Sequence, residues 1–253
     1  MKSYSSYIED LRKALPQNRA SITTIGVLHA HDQKYDLVKI ILGAGNPKRI
    51  FISAGIHGDE SAGISAIRAL LDNQVFKEFA AKWEMTLLPC VNPTGYEQDT
   101  RTNHAGEDLN RLFKSKSPPV EVRLVQKVLD SRFDLVLDLH EDLDSPGLYL
   151  YMKGMPATDD GLGRKVIEAM KLFMPVNMEP MIEEVSAEGG LLANLPDPGQ
   201  MDWWPLAMYA IDSGSRTSLT LETSTDFSME RRVSCHLAAI QTAMRNYAGQ
   251  NEL

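Results

Sequence analysis

The chain of 253 residues carries a net charge of -8, with 43% hydrophobic and 24% charged residues. That is the make-up of a globular protein long enough to bury a core without disulfides. The acidic balance argues against general nucleic-acid binding, which needs clustered cations to neutralise phosphates. No run approaches the roughly 18 apolar residues of a membrane span. The segment 1–16 has no apolar centre of signal-peptide type, so a cytoplasmic location is expected. Cys90 and Cys235 lie far apart, with no Cys or His at ligand spacing, and read as buried free thiols.

In chain order, Ser3–Leu15 has helical spacing, with Tyr7, Ile8, Leu11 and Leu15 on one side, and Pro16 ends it. Ser21–Leu28 and Tyr35–Leu42 read as strands, with the polar stretch between them as a hairpin loop. Asn46-Pro47 signals a turn. Arg49–Ala54 is a short apolar run and reads as a buried strand. A tight loop over Gly55–Asp59 then leads into a helix over Glu60–Leu71. Glu84–Cys90 is another buried strand. From Val91 to Pro119 the chain is polar and rich in turn formers, long for a plain connection and therefore a candidate functional segment. Val120–Ser131 is helical, Phe133–His140 and Leu148–Met152 are strands, and Leu162–Phe173 is a helix. Asn177–Pro205 is rich in Gly and Pro and carries Trp203 and Trp204. It is a candidate cover for a site, although core packing or a partner surface explains the tryptophans equally well. Ser218–Glu222 is a strand and Met229–Tyr247 a final helix.

Strands alternating with helices predict an α/β fold, a single-domain α/β/α sandwich over residues 1–253. The opening hairpin makes the twisted sheet mixed and mostly parallel. Three chemically loaded segments follow predicted strands directly: His57–Glu60, Asn92–Arg111 and His140. Open α/β sheets gather ligand sites at the carboxyl ends of their strands, so these segments are expected to meet.

His57 and Glu60 stand three apart where a strand turns into a helix, and Gly55 and Gly58 permit a sharp turn. Alone, the pair is read as readily as a helix-terminal carboxylate beside a loop histidine. His140 ends the apolar strand FDLVLDLH, where a side chain would point into the crevice. Together the three make a His2Glu set suited to one Zn2+ ion per chain, with a fourth position for water. Arg101, Asn110 and Arg111 suit a carboxylate, because a guanidinium fork grips both oxygens. Arg101 is also able to polarise a scissile carbonyl. Asp108 is placed to accept the second N–H of a ligating imidazole. TSLTLETS is a buried-strand pattern ending in Glu222, a carboxylate that could exchange protons with water and a leaving amine.

The motifs His57-Gly-Asp-Glu60, Asn92-Pro-Thr-Gly95, Arg101 with Asp108-Leu-Asn-Arg111, Asp138-Leu-His140 and Leu219-Thr-Leu-Glu222-Thr resemble those of the zinc carboxypeptidase family. The likeness extends to its murein peptide amidase and succinylglutamate desuccinylase/aspartoacylase-like branches, in the same order from about residue 50 to 225. It implies that His57, Glu60 and His140 hold zinc. It further implies that Arg101 stabilises the oxyanion and that Asn110 and Arg111 bind the substrate carboxylate. Asp108 would support a ligand histidine, and Glu222 would be the general base and acid. No motif aligns Tyr209 with the mobile tyrosine of digestive members, and Asp212 is either a turn former or a contact for a basic side chain. His104 could approach the ligand pocket, whereas His29, His31 and His236 are expected to play no part in the chemistry.

The expected activity is a zinc metallocarboxypeptidase acting on an amide next to a free carboxylate in a short peptide, with no nucleic-acid or membrane partner. An N-acyl amino acid deacylase with the same machinery is the rival within the enzyme class. A non-catalytic metal- or peptide-binding module is the other alternative, and retention of both the ligand set and Glu222 argues against it.

Overall fold

The computed structural model describes residues 2–15, 20–72, 74–154 and 160–247. Helix α1 (Tyr4–Ala14) is capped by the Ser3 side chain, which accepts from the Ser6 N–H. Strands β1 (Ala20–Ala30) and β2 (Gln33–Leu42) form a hairpin longer than the sequence suggests. His31 and Asp32 alone make the turn, both at positive φ, the geometry that matches the twist of paired strands. β3 (Lys48–Ala54), α2 (Ser61–Asp72), a 3-10 turn at Val75–Glu78 and β4 (Trp83–Leu88) follow. The long polar segment then holds a short helix, α3 (Pro93–Gln98), and a 3-10 turn at Leu109–Arg111. Asn92 caps α3 and Pro93 opens it, a pairing favoured because proline lacks an N–H that the first helical turn would leave unpaired anyway.

Next come α4 (Val120–Leu129), β5 (Leu135–Asp142), β6 (Tyr149–Gly154), α5 (Gly161–Met170), the short strands β7 (Met181–Ile182), β8 (Val185–Ser186) and β9 (Leu191–Leu192), and a 3-10 turn at Pro198–Gln200. Helix α6 (Leu206–Asp212), unpredicted, precedes β10 (Thr217–Ser224) and α7 (Met229–Asn246).

Among the described residues the main sheet has eight strands in the order β1-β2-β4-β3-β5-β10-β6-β9. Its centre, β4-β3-β5-β10, is parallel; β1-β2, β2-β4 and β10-β6 are antiparallel. Alternation along each strand sorts the core into two layers. Ile50, Ile52, Leu137, Leu139, Leu219 and Leu221 face one layer with α1, α2, α5 and α7. Phe51 and Val136 face the other, packed on Val122, Val125 and Leu129 of α4 and Leu206 and Ala210 of α6. Full burial of each such side chain contributes about 1.5–3 kcal/mol, which fixes the strands well enough to present a site at their ends. The result is the expected α/β/α sandwich. Both cysteines are free and buried, and among the described residues no helix is long and apolar enough to cross a membrane.

Candidate metal centre

Strands β3, β5 and β10 run the same way, so their carboxyl ends share one edge of the sheet. After β3, Gly55 turns the chain at φ +64°. Its carbonyl accepts from Asn92 N at 2.8 Å, and Gly58 N donates to Thr100 O at 3.0 Å. A Cβ on Gly58 would lie 1.9 Å from the carbonyl carbon of Gly95. The turn bearing His57 is thus pressed backbone to backbone against the Asn92–Gly95 turn.

On β5, Asp138 and His140 are two apart and share a face. The parallel register pairs Glu222 of β10 with His140, so the same face of the neighbouring strand carries the candidate base. His57, Glu60 and His140 are all buried, and one ligand atom from each falls within 4.8 Å of the others. His57 Nδ1 lies 2.6 Å from Glu60 Oε1 and His140 Nδ1 lies 2.8 Å from Glu60 Oε2. The opposite nitrogens are also engaged. His57 Nε2 is 3.1 Å from Asp108 Oδ1, and His140 Nε2 is 3.0 Å from Asp138 Oδ2. Each Nε2–H therefore donates to a carboxylate, which turns each Nδ1 toward Glu60.

The charge pattern matches the geometry. Burial opposes ionisation of Glu60, but the fields and hydrogen bonds of His140 and His57 outweigh it and hold the carboxyl well below its ordinary range. Burial would likewise discharge His140, yet Asp138, Glu60 and Glu222 drive its pKa well up. Asp108 is pulled far down against its own burial by the hydrogen bond and charge of His57 and by Arg101 and Arg111. Burial raises Glu222 well above the carboxylate range; His140 opposes the rise and Glu60, Asp142 and Asp138 add to it. A divalent cation that binds imidazole nitrogen displaces the proton held there. Two nitrogens and one carboxylate oxygen form a donor set that fits zinc.

Arg101 lies beside this cluster, its Nε 3.1 Å from Asp108 Oδ2 and its Nη1 3.5 Å from Glu60 Oε1. The Asn110 Oδ1 accepts from Leu206 N at 2.9 Å. Arg111 lies over the Trp203 ring, 4.2 Å from its centroid. Tyr209 lies apart from this group, its hydroxyl held 3.1 Å from Asp130 Oδ1 at the end of α4. Asp212 is the exposed last residue of α6. His104 stacks edge-on to His31 at 6.0 Å between ring centroids. His236 is buried with its Nε2 3.3 Å from Thr223 Oγ1.

Two supports escaped the sequence reading. Asp138 holds His140 and is itself held by Ser53, whose hydroxyl donates to Asp138 Oδ1 at 2.7 Å; its position two before His140 on one strand face was the available signal. Glu141 has no such signature. Its N–H donates to Glu60 Oε2 at 3.1 Å, its Oε2 accepts from Ala62 N at 2.7 Å, and its Oε1 pairs with Arg232 of α7. It ties the β5 end to the start of α2 from behind the cluster.

Residues 46–182, more than half of the chain, match the model of the succinylglutamate desuccinylase/aspartoacylase catalytic domain. The chain belongs to this family. It is a metallohydrolase by family, and the matched segment contains His57, Glu60, Arg101, Asp108, Asn110, Arg111, Asp138 and His140, while Trp203 and Glu222 lie beyond it. Solved structures share the fold of this desuccinylase/aspartoacylase relative. A candidate metallopeptidase of Shewanella amazonensis superposes with a TM-score of 0.79 at 21% identity, over 96% of this chain and 91% of that one. A metallo-carboxypeptidase of Pseudomonas aeruginosa, in complex with (2-guanidinoethylmercapto)succinic acid, gives 0.69 at 19% identity over 96% and 68%. The succinylglutamate desuccinylase/aspartoacylase of Rhodobacter sphaeroides gives 0.61 at 17% identity over 89% and 64%. No curated protein matches the sequence.

Proposed function

We propose that this protein is a zinc-dependent metallocarboxypeptidase that hydrolyses an amide bond next to a free carboxylate in a short peptide. The observation that carries this reading is the approach of one ligand atom each from His57, Glu60 and His140 to within 4.8 Å of one another, with Glu222 in register beside His140. His57, Glu60 and His140 would hold the ion. When bound, zinc supplies Lewis-acid polarisation of a carbonyl and acidifies water.

The protein's own groups divide the remaining work. Asp108 and Asp138 fix the two imidazoles with Nδ1 inward. Glu222, level with His140 on the neighbouring strand, takes a proton from the attacking water and returns it to the departing amine. Arg101, within reach of Glu60 at the rim, stabilises negative charge developing on the carbonyl oxygen. Asn110, whose Oδ1 is committed to Leu206, presents its Nδ2 donors, and Arg111 presents its guanidinium edge to the substrate carboxylate.

The matched family model favours a second reading, an N-acyl amino acid deacylase using the same groups. A substrate panel separates the two. Chelated and zinc-restored protein is assayed against short peptides with free C-termini and against N-acyl amino acids. Zinc-dependent release of C-terminal residues supports the peptidase, and cleavage of acyl compounds alone replaces it with the deacylase. Full activity after chelation would overturn both.

A further inference from the structure

Arg111 forms no ion pair among the described residues. Its guanidinium carbon lies 4.2 Å from the centre of the Trp203 ring, and its Nη1 makes a long 3.4 Å contact to Asn110 O. A guanidinium offers two distinct surfaces. Its flat face stacks on aromatic rings, while its edge carries the forked N–H donors that match a carboxylate. Trp203 takes one side of the guanidinium, and apart from the long Nη1 contact its donors have no partner among the described residues.

The two residues are also tied through their backbones. Phe113 N donates to Trp204 O at 3.2 Å, Leu206 N donates to Asn110 Oδ1 at 2.9 Å, and Lys114 reaches Met201 O. The segment bearing Trp203 is thus stitched along the segment bearing Arg111. Its neighbour Trp204 serves packing: it lies against the α4 and α6 layer and donates from Nε1 to Pro198 O at 2.7 Å. Trp203 is 42% exposed and fills no core. An indole left half in solvent, over an arginine beside a buried metal-ligand cluster, calls for a role other than burial.

We infer that Trp203 is a positioning residue for carboxylate recognition, holding the Arg111 guanidinium plane so that its edge faces the bound anion. The inference rests on the reading of Arg111 as the carboxylate anchor, and it also ties the end of the Gly/Pro-rich stretch Asn177–Pro205 to substrate affinity. Without the indole, Arg111 would sample many rotamers and bind the same anion at an entropic cost.

The test is calorimetric binding of (2-guanidinoethylmercapto)succinic acid to zinc-loaded wild type, Trp203→Leu, Trp203→Phe, Arg111→Gln and the Trp203→Leu/Arg111→Gln double variant. Trp203→Leu should weaken binding about two- to fivefold, the range of an exposed cation–π contact. Trp203→Phe should recover most of the loss. Arg111→Gln should cost tenfold or more, and adding Trp203→Leu to it should cost nothing further. With a cleaved substrate, the Trp203→Leu loss should fall on KM and not on kcat. Wild-type affinity in Trp203→Leu, or an equal loss with and without Arg111, would overturn the positioning role while leaving the carboxylate anchor standing. Wild-type affinity in Arg111→Gln would overturn the anchor and with it the part given to Trp203.

Discussion

Replacing Asp138 by asparagine isolates the charge behind one ligand without disturbing its shape. Asp138 is buried, accepts from Ser53 Oγ at 2.7 Å and faces His140 Nε2 at 3.0 Å. An asparagine amide oxygen can still accept from Nε2–H. Its NH2 would then face Ser53, whose hydroxyl can turn its proton toward Leu137 O, already 3.5 Å away. Every hydrogen bond is retained and only the carboxylate charge is lost. Partners of this kind contribute about 10- to 100-fold to metal affinity, roughly 1.4–2.7 kcal/mol. Asp138→Ala differs, because Ser53 can still turn to Leu137 O but the buried His140 Nε2–H is left unpaired, at about 1–3 kcal/mol. That is a large share of a domain's net stability. The assay is zinc competition against a chromophoric chelator together with thermal unfolding of the metal-free protein. Asp138→Asn should bind zinc 10- to 100-fold more weakly with little change in Tm, whereas Asp138→Ala should melt several degrees lower. Asp108→Asn should fall at the weaker end, since its side chain is 24% exposed and solvent screens its charge. Wild-type zinc affinity in Asp138→Asn would refute the claim that this carboxylate sets the basicity and orientation of His140.

Glu222→Gln should keep zinc at wild-type stoichiometry and lose turnover by orders of magnitude, read by metal analysis alongside initial rates; unchanged turnover would remove Glu222 from the chemistry. His236 should make stability depend on pH. Burial, reinforced by His140, pushes its pKa down to about 3, so it folds neutral, whereas the unfolded side chain titrates near 6.5. Its contribution is complete above the unfolded value and is lost as pH falls toward the folded one. Between pH 6.5 and 5 that loss is about 2 kcal/mol. Urea unfolding at pH 8 and pH 5 should show this difference shrinking in His236→Gln; an unaltered difference would mean that His236 is not held neutral.

Much of this architecture was legible because apolar runs are what a parallel centre demands. RIFISA and FDLVLDLH are buried on both faces, and the structure moves their predicted ends by only one or two residues. The turn-rich segments were less transparent. Asn92-Pro93 was read as loop although it is a helix cap and first residue, because six residues give too little periodicity to detect. Helix α6 was hidden for a similar reason: LAMYAID follows the Gly/Pro-rich stretch, and its last residues looked like a turn. The ligand set could be nominated from residue types, but its partners required registry. That Glu222 stands level with His140 follows from strand pairing between residues some 80 positions apart. Glu141 and Arg232 meet only because α7 packs against α2 and β10, beside the end of β5, and no local pattern announces such a contact.

The ligand turn and the arginine loop behave as one piece, and the residues that weld them are small or polar for steric reasons. Asn92 N holds Gly55 O, while its Oδ1 takes Gly95 N at 2.9 Å and the Thr94 hydroxyl at 3.1 Å. Gly95 has no room for a side chain, since a Cβ there would lie 2.4 Å from Asn92 Nδ2 and 2.8 Å from Thr100 O. Thr100 O in turn receives Gly58 N, one residue from His57 and one before Arg101. His57 and Arg101 therefore cannot drift apart without breaking hydrogen bonds in a buried seam, each costing about 1–3 kcal/mol if left unpaired. Asp108 closes the circuit on the exposed side by holding both His57 Nε2 and Arg101 Nε. A carbonyl gripped between the metal ligands and Arg101 would thus meet two groups whose separation is set before it binds, which is the condition for electrostatic stabilisation without reorganisation at the moment of reaction.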